Sequence, residues 1–113
     1  MVHGSYAQSF AIVEKRELCP DTWFMRVEAP LVARKVEAGQ FVIVRPGERS
    51  ERMPLSIAGW DRDAGTLDLV IAAVGVTSTE AVELNVGDRF SDIVGPLGER
   101  SHVQKYDGVC VVL

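Results

Sequence analysis

The stretch "TLDLVIAAVGVTSTEAVEL" (residues 66–84) shows the sequence patterns of both a β-strand and an α-helix. Its first half is rich in apolar and β-branched residues, which is typical of a strand over 66–74. Gly75 then permits a close turn, and the following "TSTEAVEL" contains good helix formers. The spacing of Thr77 and Glu80 matches a capping box at a helix N-terminus. The stretch therefore predicts a strand, a tight turn and a short helix over 77–84.

Outside this stretch, β patterning dominates the sequence. Runs of apolar or alternating residues, separated by Gly, Pro and Asp turns, predict five more strands over 9–17, 22–29, 41–45, 54–60 and 89–94. The segment "PLVARKV" (30–36) is long enough for a short helical turn at most. Six short strands with one helix predict an all-β fold, a six-stranded antiparallel Greek-key barrel with one short helix.

The composition excludes several classes of function. A chain of 113 residues, 47% hydrophobic and 25% charged, is typical of one folded domain. The net charge is −4 and the Lys and Arg residues are scattered, so we expect no nucleic-acid partner. The longest apolar run, "LVIAAV", is far shorter than the ~20 residues of a membrane span. With no secretory signal pattern at the N-terminus, we expect a cytoplasmic protein that does not contact a membrane.

Metal and disulfide chemistry are not expected in this chain. Cys19 and Cys110 are too far apart in sequence for a zinc pattern, and two cysteines do not make a disulfide scaffold. We predict that both are buried free thiols in a reducing compartment. His3 and His102 are each isolated, which argues against a metal site.

Two segments are candidates for ligand binding, and the first is the turn at Gly75. The first amides of a helix lack partners within the helix, and Thr77 and Ser78 add hydroxyl groups beside them. Such a junction suits an anion such as phosphate. The simpler interpretation is that Thr77 caps the helix and Gly75 only turns the chain.

The second candidate is "ERMPLSIAGW" (51–60). Pro54 suits the beginning of a strand because it has no backbone N–H to donate to a sheet. Strand alternation places two sets of side chains on opposite faces, Leu55 and Ile57 against Ser56, Ala58 and Trp60. The small residues of the second set leave room for a flat ring with the Ser56 hydroxyl beside it, and Arg52 is able to bind a phosphate. The simpler interpretation is a solvated Arg52 and an outward-facing Ser56.

The order of these segments along the chain is more specific than any one of them. The sequence gives "AGQFVIV", then "ERMPLSIA", "VGVTSTEAVELNVGD", "DIVGPLG" and "YDGVCVVL". This order resembles the FAD-binding domain of the ferredoxin–NADP reductase superfamily. Members of that family carry a PGQF-type strand, an Arg-x-Tyr-Ser-type flavin strand, a Gly-x-Thr-type phosphate turn, a Gly-Asp turn and a Gly-Pro-x-Gly loop. The resemblance covers residues 9–113.

Within that superfamily, the segments resemble most the electron-transfer subunit of dihydroorotate dehydrogenase and the small subunit of NADH-dependent ferredoxin–NADP oxidoreductase. The sulfide dehydrogenase and glutamate-synthase-associated subunits belong to the same branch. The resemblance implies that FAD passes electrons between NAD(P)H and an iron–sulfur cluster or a catalytic partner subunit. It implies an FAD-binding domain over 1–106 and the start of a truncated NAD(P)-binding domain over 107–113. NAD(P)H and [2Fe–2S] sites are expected only in the full-length protein, and this fragment alone is expected to be inactive.

The resemblance also implies which residues contact FAD, and it assigns no catalytic acid or base. The expected contacts are Arg52, Pro54, Leu55, Ser56, Ile57, Ala58, Ala73, Val74, Gly75, Val76, Thr77 and Ser78. The flavin ring is expected along 55–58, with Ser56 near its N5 or O4, and the diphosphate along 75–78. The arginine of the family pattern falls on Met53, so Arg52 stands one residue early, where a strand reverses the side-chain direction. Whether Arg52 contacts phosphate is therefore left open.

Two other interpretations compete with the reductase. One is a Greek-key β-barrel that binds or assembles without redox function, and the other is a riboflavin-synthase-like barrel. A glycine-rich turn and a helix after Leu113 would favour the reductase, whereas a second barrel repeat would favour riboflavin synthase.

Overall fold

A computed structural model of the protein describes residues 9–98. Within this part of the chain there are six strands and two short helices. The strands are β1 (Ile12–Cys19), β2 (Thr22–Glu28), β3 (Phe41–Arg45), β4 (Met53–Asp61), β5 (Thr66–Ala72) and β6 (Asp92–Leu97). The helices are α1 (Pro30–Lys35) and α2 (Val76–Val82). Cys110, both histidines and the predicted domain start at 107–113 lie outside the described residues.

The six strands form one antiparallel sheet in the order β1-β2-β5-β4-β3-β6. The sheet is not closed, because β1 and β6 do not pair along their lengths in the described chain. The segment before β6 instead contacts the beginning of β1: the Ile12 amide donates to the Asp88 carbonyl over 2.8 Å, and the Phe90 amide donates to the Phe10 carbonyl over 3.0 Å. The predicted antiparallel β fold is confirmed, with an open seam in place of a closed barrel.

The core follows the alternation of the strands. Inward residues such as Val42, Val44, Leu67 and Leu69 have no exposed surface, and residues between them face outward or lie half-buried. Each such side chain contributes about 1.5–3 kcal/mol of burial free energy. The two helices pack against this core through residues that are also buried, namely Val32, Ala33, Ala81 and Val82.

A β-bulge in β4 changes which residues face the core. Ile57 pairs with Leu69 and Gly59 with Asp68, so Ala58 is an extra residue with no partner on β5. Such a bulge shifts the alternation by one residue. Trp60 consequently lies opposite Leu67 and packs against the core. The prediction that Trp60 shares a face with Ser56 and Ala58 is wrong for this reason.

Two further predictions are corrected. The segment 30–36 forms the helix α1, because Pro30 suits the first turn of a helix and Val32, Ala33 and Val36 are buried against the sheet. Cys19 is a free thiol but is exposed, since it ends β1 at the tight turn before β2. Neither helix within residues 9–98 has the length and apolar character needed to cross a membrane.

Candidate functional site

A cleft of about 480 Å³ lies between the beginning of β4, the end of β5 and the segment that begins α2. Its volume falls in the range of small-molecule sites, which is about 300–1,000 Å³. Residues from two separate parts of the sequence form its lining, namely Arg52, Met53, Pro54, Leu55, Ile71, Ala72, Val74, Gly75, Val76, Thr77 and Ser78. The pairing of β4 with β5 brings the two candidate segments together.

Eight of the twelve predicted contact residues line this cleft. The other four are Ser56, Ile57, Ala58 and Ala73. Ser56 and Ala58 are exposed on the outer face of β4, whereas Ile57 and Ala73 pack against the core. The sheet therefore places these four beside the cleft and not in it.

Three lining residues were missed by the sequence analysis, namely Met53, Ile71 and Ala72. Met53 and Leu55 are both half-buried and two positions apart, so they share a face of β4. Because Leu55 was a predicted contact, this spacing could have identified Met53 as a second lining residue. Ile71 and Ala72 line the cleft because β5 ends there, and nothing in the sequence of β5 marked them.

A buried serine holds the turn at Gly75. The Ser78 hydroxyl accepts hydrogen bonds from the amides of Val74 and Gly75, over 3.0 and 2.9 Å, and donates to the Gly75 carbonyl over 3.2 Å. Gly75 is the N-cap of α2, so the predicted capping box of Thr77 and Glu80 is wrong. Ser78 is committed to the backbone, while Thr77 remains half-buried in the cleft wall.

Arg52 is held at the edge of the cleft by an ion pair. Its Nη1 donates to the Asp92 Oδ2 of β6 over 3.0 Å, and the two side chains are 52% and 33% exposed. The cleft wall near Arg52 is otherwise mainly apolar, with Met53, Leu55 and Val74. The cleft thus has a cation at one edge of an apolar surface.

A separate charged cluster lies on the outer face of the sheet, away from the cleft. Arg26 donates to Asp68 over 2.7 Å and to Glu14 over 3.0 Å. The hydrogen bond to Asp68 raises the pKa of Arg26 above its ordinary value, and the charge of Asp68 adds to the effect. Among residues 9–98, no group of three or more His, Cys, Asp or Glu side chains is placed to hold a metal ion.

No protein-family model matches this chain, but several known proteins are similar to it. This chain is 35% identical over 101 residues to a Thermotoga maritima protein named dihydroorotate dehydrogenase B (NAD(+)), electron transfer subunit homolog. The alignment covers 89% of this chain and 36% of that protein. The chain is 38% identical over 84 residues to the electron transfer subunit of the same enzyme from Desulforamulus reducens, covering 72% of this chain and 32% of that protein. The fold matches a chain of the NADH-dependent reduced ferredoxin–NADP oxidoreductase with a TM-score of 0.77 and 35% identity, over 79% of this chain and 32% of that one. The chain belongs to the ferredoxin reductase-like FAD-binding domains.

The ferredoxin reductase-like domain spans about a third of the length of the curated relatives that it matches. The predicted family resemblance is confirmed. Two of the relatives are named as electron transfer subunits, and the structural neighbour is described in terms of flavin-based electron bifurcation. These names support the reductase interpretation over a binding module or a riboflavin-synthase-like barrel.

Proposed function

We propose that this chain is the FAD-binding domain of the electron-transfer subunit of a flavin oxidoreductase. The observation that supports the proposal most strongly is the cleft, which collects eight predicted contact residues from two distant segments. A cleft with an apolar wall and a cation at its edge suits a ligand with an aromatic ring and a phosphate group. FAD has both. When bound, FAD would supply the redox chemistry, and the protein would bind and orient it.

The residues present fit such a ligand. Met53, Leu55 and Val74 offer an apolar surface for the ring, and Thr77 and Arg52 offer polar groups for the phosphates. A second cavity of about 460 Å³ adjoins the cleft through Val76 and Thr77, and its other lining residues are Arg49, Ser50, Glu51 and Glu80. Two adjoining cavities suit an extended dinucleotide better than a compact ligand. The four predicted contacts beside the cleft, at 56–58 and 73, stay predictions.

The wider role of the protein is part of the same proposal. Relatives named as electron transfer subunits of dihydroorotate dehydrogenase B (NAD(+)) support a nicotinamide nucleotide as the electron donor and a catalytic partner subunit. An iron–sulfur cluster would receive the electrons in the longer protein. We place the protein in the cytoplasm, where reducing conditions keep an exposed thiol such as that of Cys19 free.

Flavin binding tests the proposal, and a matched pair of valines makes the test specific. Val76 lines the cleft and is 77% exposed, whereas Val86 lies outside the cleft and is 59% exposed. Neither side chain supports the core, so Val76→Glu and Val86→Glu should both leave the fold intact. A carboxylate at Val76 repels the phosphates of FAD, and we expect its affinity to fall by roughly fivefold or more. Val86→Glu should bind FAD as the wild type does.

The measurement is a titration of the purified protein with FAD, followed by the quenching of flavin fluorescence. Thermal unfolding of both variants verifies that the fold is retained. Absence of flavin binding by the wild-type protein would refute the proposed function. Equal affinities of the two variants would refute the location of the site.

A further inference from the structure

The ion pair of Arg52 connects the cleft to a strand that does not line it. Arg52 is a lining residue, whereas Asp92 begins β6, two strands from β4 in the sheet order β4-β3-β6. The Nη1–Oδ2 distance of 3.0 Å fixes the guanidinium at the carboxylate. A phosphate group that enters the cleft therefore meets an arginine that is already paired.

Asp92 has a second cation beside it. Arg45 on β3 is its direct partner in the β3–β6 ladder. Directly opposite residues of an antiparallel pair have Cβ atoms about 4.5–5.5 Å apart. The Arg45 Nη1 donates to the Glu48 carbonyl over 3.1 Å, but its buried Nε has no hydrogen-bond partner within residues 9–98. A buried donor without a partner is destabilising, so a carboxylate that turned toward Arg45 would be stabilised there.

We propose that Asp92 is an exchangeable counter-ion of Arg52: a phosphate group that enters the cleft takes Arg52 from Asp92, and Asp92 turns to Arg45. The inference rests on the proposed function, because it assumes that the ligand of the cleft carries phosphate. It assigns Asp92 the role of a competitor that occupies Arg52 until a phosphate group displaces it. It also gives Arg52 a place in phosphate binding despite its offset from the family pattern.

The competition between Asp92 and a phosphate group for Arg52 should change the binding constant of the phosphate ligand by a measurable factor. An ion pair that is about half exposed changes a binding constant by roughly two- to fivefold. Asp92→Asn removes the competing charge and keeps the size of the side chain. We expect this variant to bind inorganic pyrophosphate and FAD roughly two- to fivefold more tightly than the wild type at low salt. The gain should shrink as salt is added, because exposed charges are screened.

Three controls separate this competition from a general effect on structure. Riboflavin carries no phosphate, so its affinity should be the same in the wild type and in Asp92→Asn. Asp92→Glu keeps the charge and should not show the gain. In a protein that carries Arg52→Gln, the further change Asp92→Asn should have no effect on pyrophosphate binding.

Calorimetric titration of the protein with inorganic pyrophosphate, FAD and riboflavin gives these affinities. Equal pyrophosphate affinities of the wild type and Asp92→Asn overturn the inference, and so does a gain that persists with Arg52→Gln or appears with riboflavin. Absence of pyrophosphate binding overturns it as well. If pyrophosphate binds with the expected gain while FAD does not bind, the inference stands and the proposed function fails.

A measurement on the wild type tests the exchange without any substitution. The Nε–Hε signals of Arg45 and Arg52 in ¹H–¹⁵N NMR spectra should both shift when pyrophosphate is added, because both side chains change partner. A shift at Arg52 with none at Arg45 would overturn the transfer of Asp92 to Arg45.

Discussion

The Ser78 hydroxyl holds the turn that forms one wall of the cleft, and its removal gives a quantitative test of the structure. Ser78→Ala deletes three hydrogen bonds, two accepted from the amides of Val74 and Gly75 and one donated to the Gly75 carbonyl. At about 0.5–1.5 kcal/mol for each bond, the upper limit of the loss is about 4.5 kcal/mol. Val74 and Gly75 are exposed, so water can satisfy their amides in part. Alanine also has a better helix propensity than serine, by roughly 0.5 kcal/mol.

The expected net loss is about 1.5–2.5 kcal/mol in the free energy of unfolding. Urea denaturation measures it, and with a slope of about 1–3 kcal/mol/M the midpoint should fall by about 1 M. Thr79→Ala is the matched control, because Thr79 is the next residue of the same helix and its side chain is exposed. It should leave the midpoint unchanged or raise it slightly. A loss below about 0.5 kcal/mol for Ser78→Ala would refute the assignment of Ser78 as the residue that holds the turn.

Two further predictions concern contacts that the strands make. In Gly59→Ala, the new Cβ would lie 2.9 Å from the Asp68 Oδ2, so it should displace the carboxylate from Arg26 and lower the urea midpoint; an unchanged urea midpoint would contradict this. Lys15 donates to the Val82 carbonyl at the end of α2 over 2.6 Å, where a cation also interacts favourably with the helix dipole. Lys15→Met should therefore cost about 0.5–1.5 kcal/mol and speed amide hydrogen exchange in α2, and exchange rates equal to those of the wild type would refute it.

The strands could be predicted where apolar alternation and turn residues agree. The strand at 41–45 was predicted with its observed bounds because a glycine precedes it and "RPG" ends it. The last strand was predicted over 89–94 but runs over Asp92–Leu97, since Gly95 and Pro96, read as a turn, continue it. The helix α1 could not be predicted from residues 30–36 alone, because a helix this short is stabilised by tertiary packing. Burial of Val32, Ala33 and Val36 against the core supplies that stabilisation.

The site was predictable in its segments but not in its individual side chains. Thr77 and Ser78 both carry hydroxyls, and which of them binds the backbone depends on the N-cap, which is Gly75, two residues before the predicted Thr77. Such a boundary is the least certain part of a sequence-based prediction. The partner of Arg52 could not be predicted, because Asp92 is forty residues away and only the order of the strands brings the two together.

The extra residue at Ala58 has a consequence for how this chain is aligned with others. The inward and outward positions of β4 exchange at this residue. Odd-numbered residues over 53–57 face the core, whereas after Ala58 the even-numbered Trp60 does so. A relative whose strand lacks the bulge has to be aligned with a one-residue gap at Ala58. Without that gap, every position after it would be compared with a residue from the opposite side of the sheet, and the tryptophan would be mistaken for a surface residue.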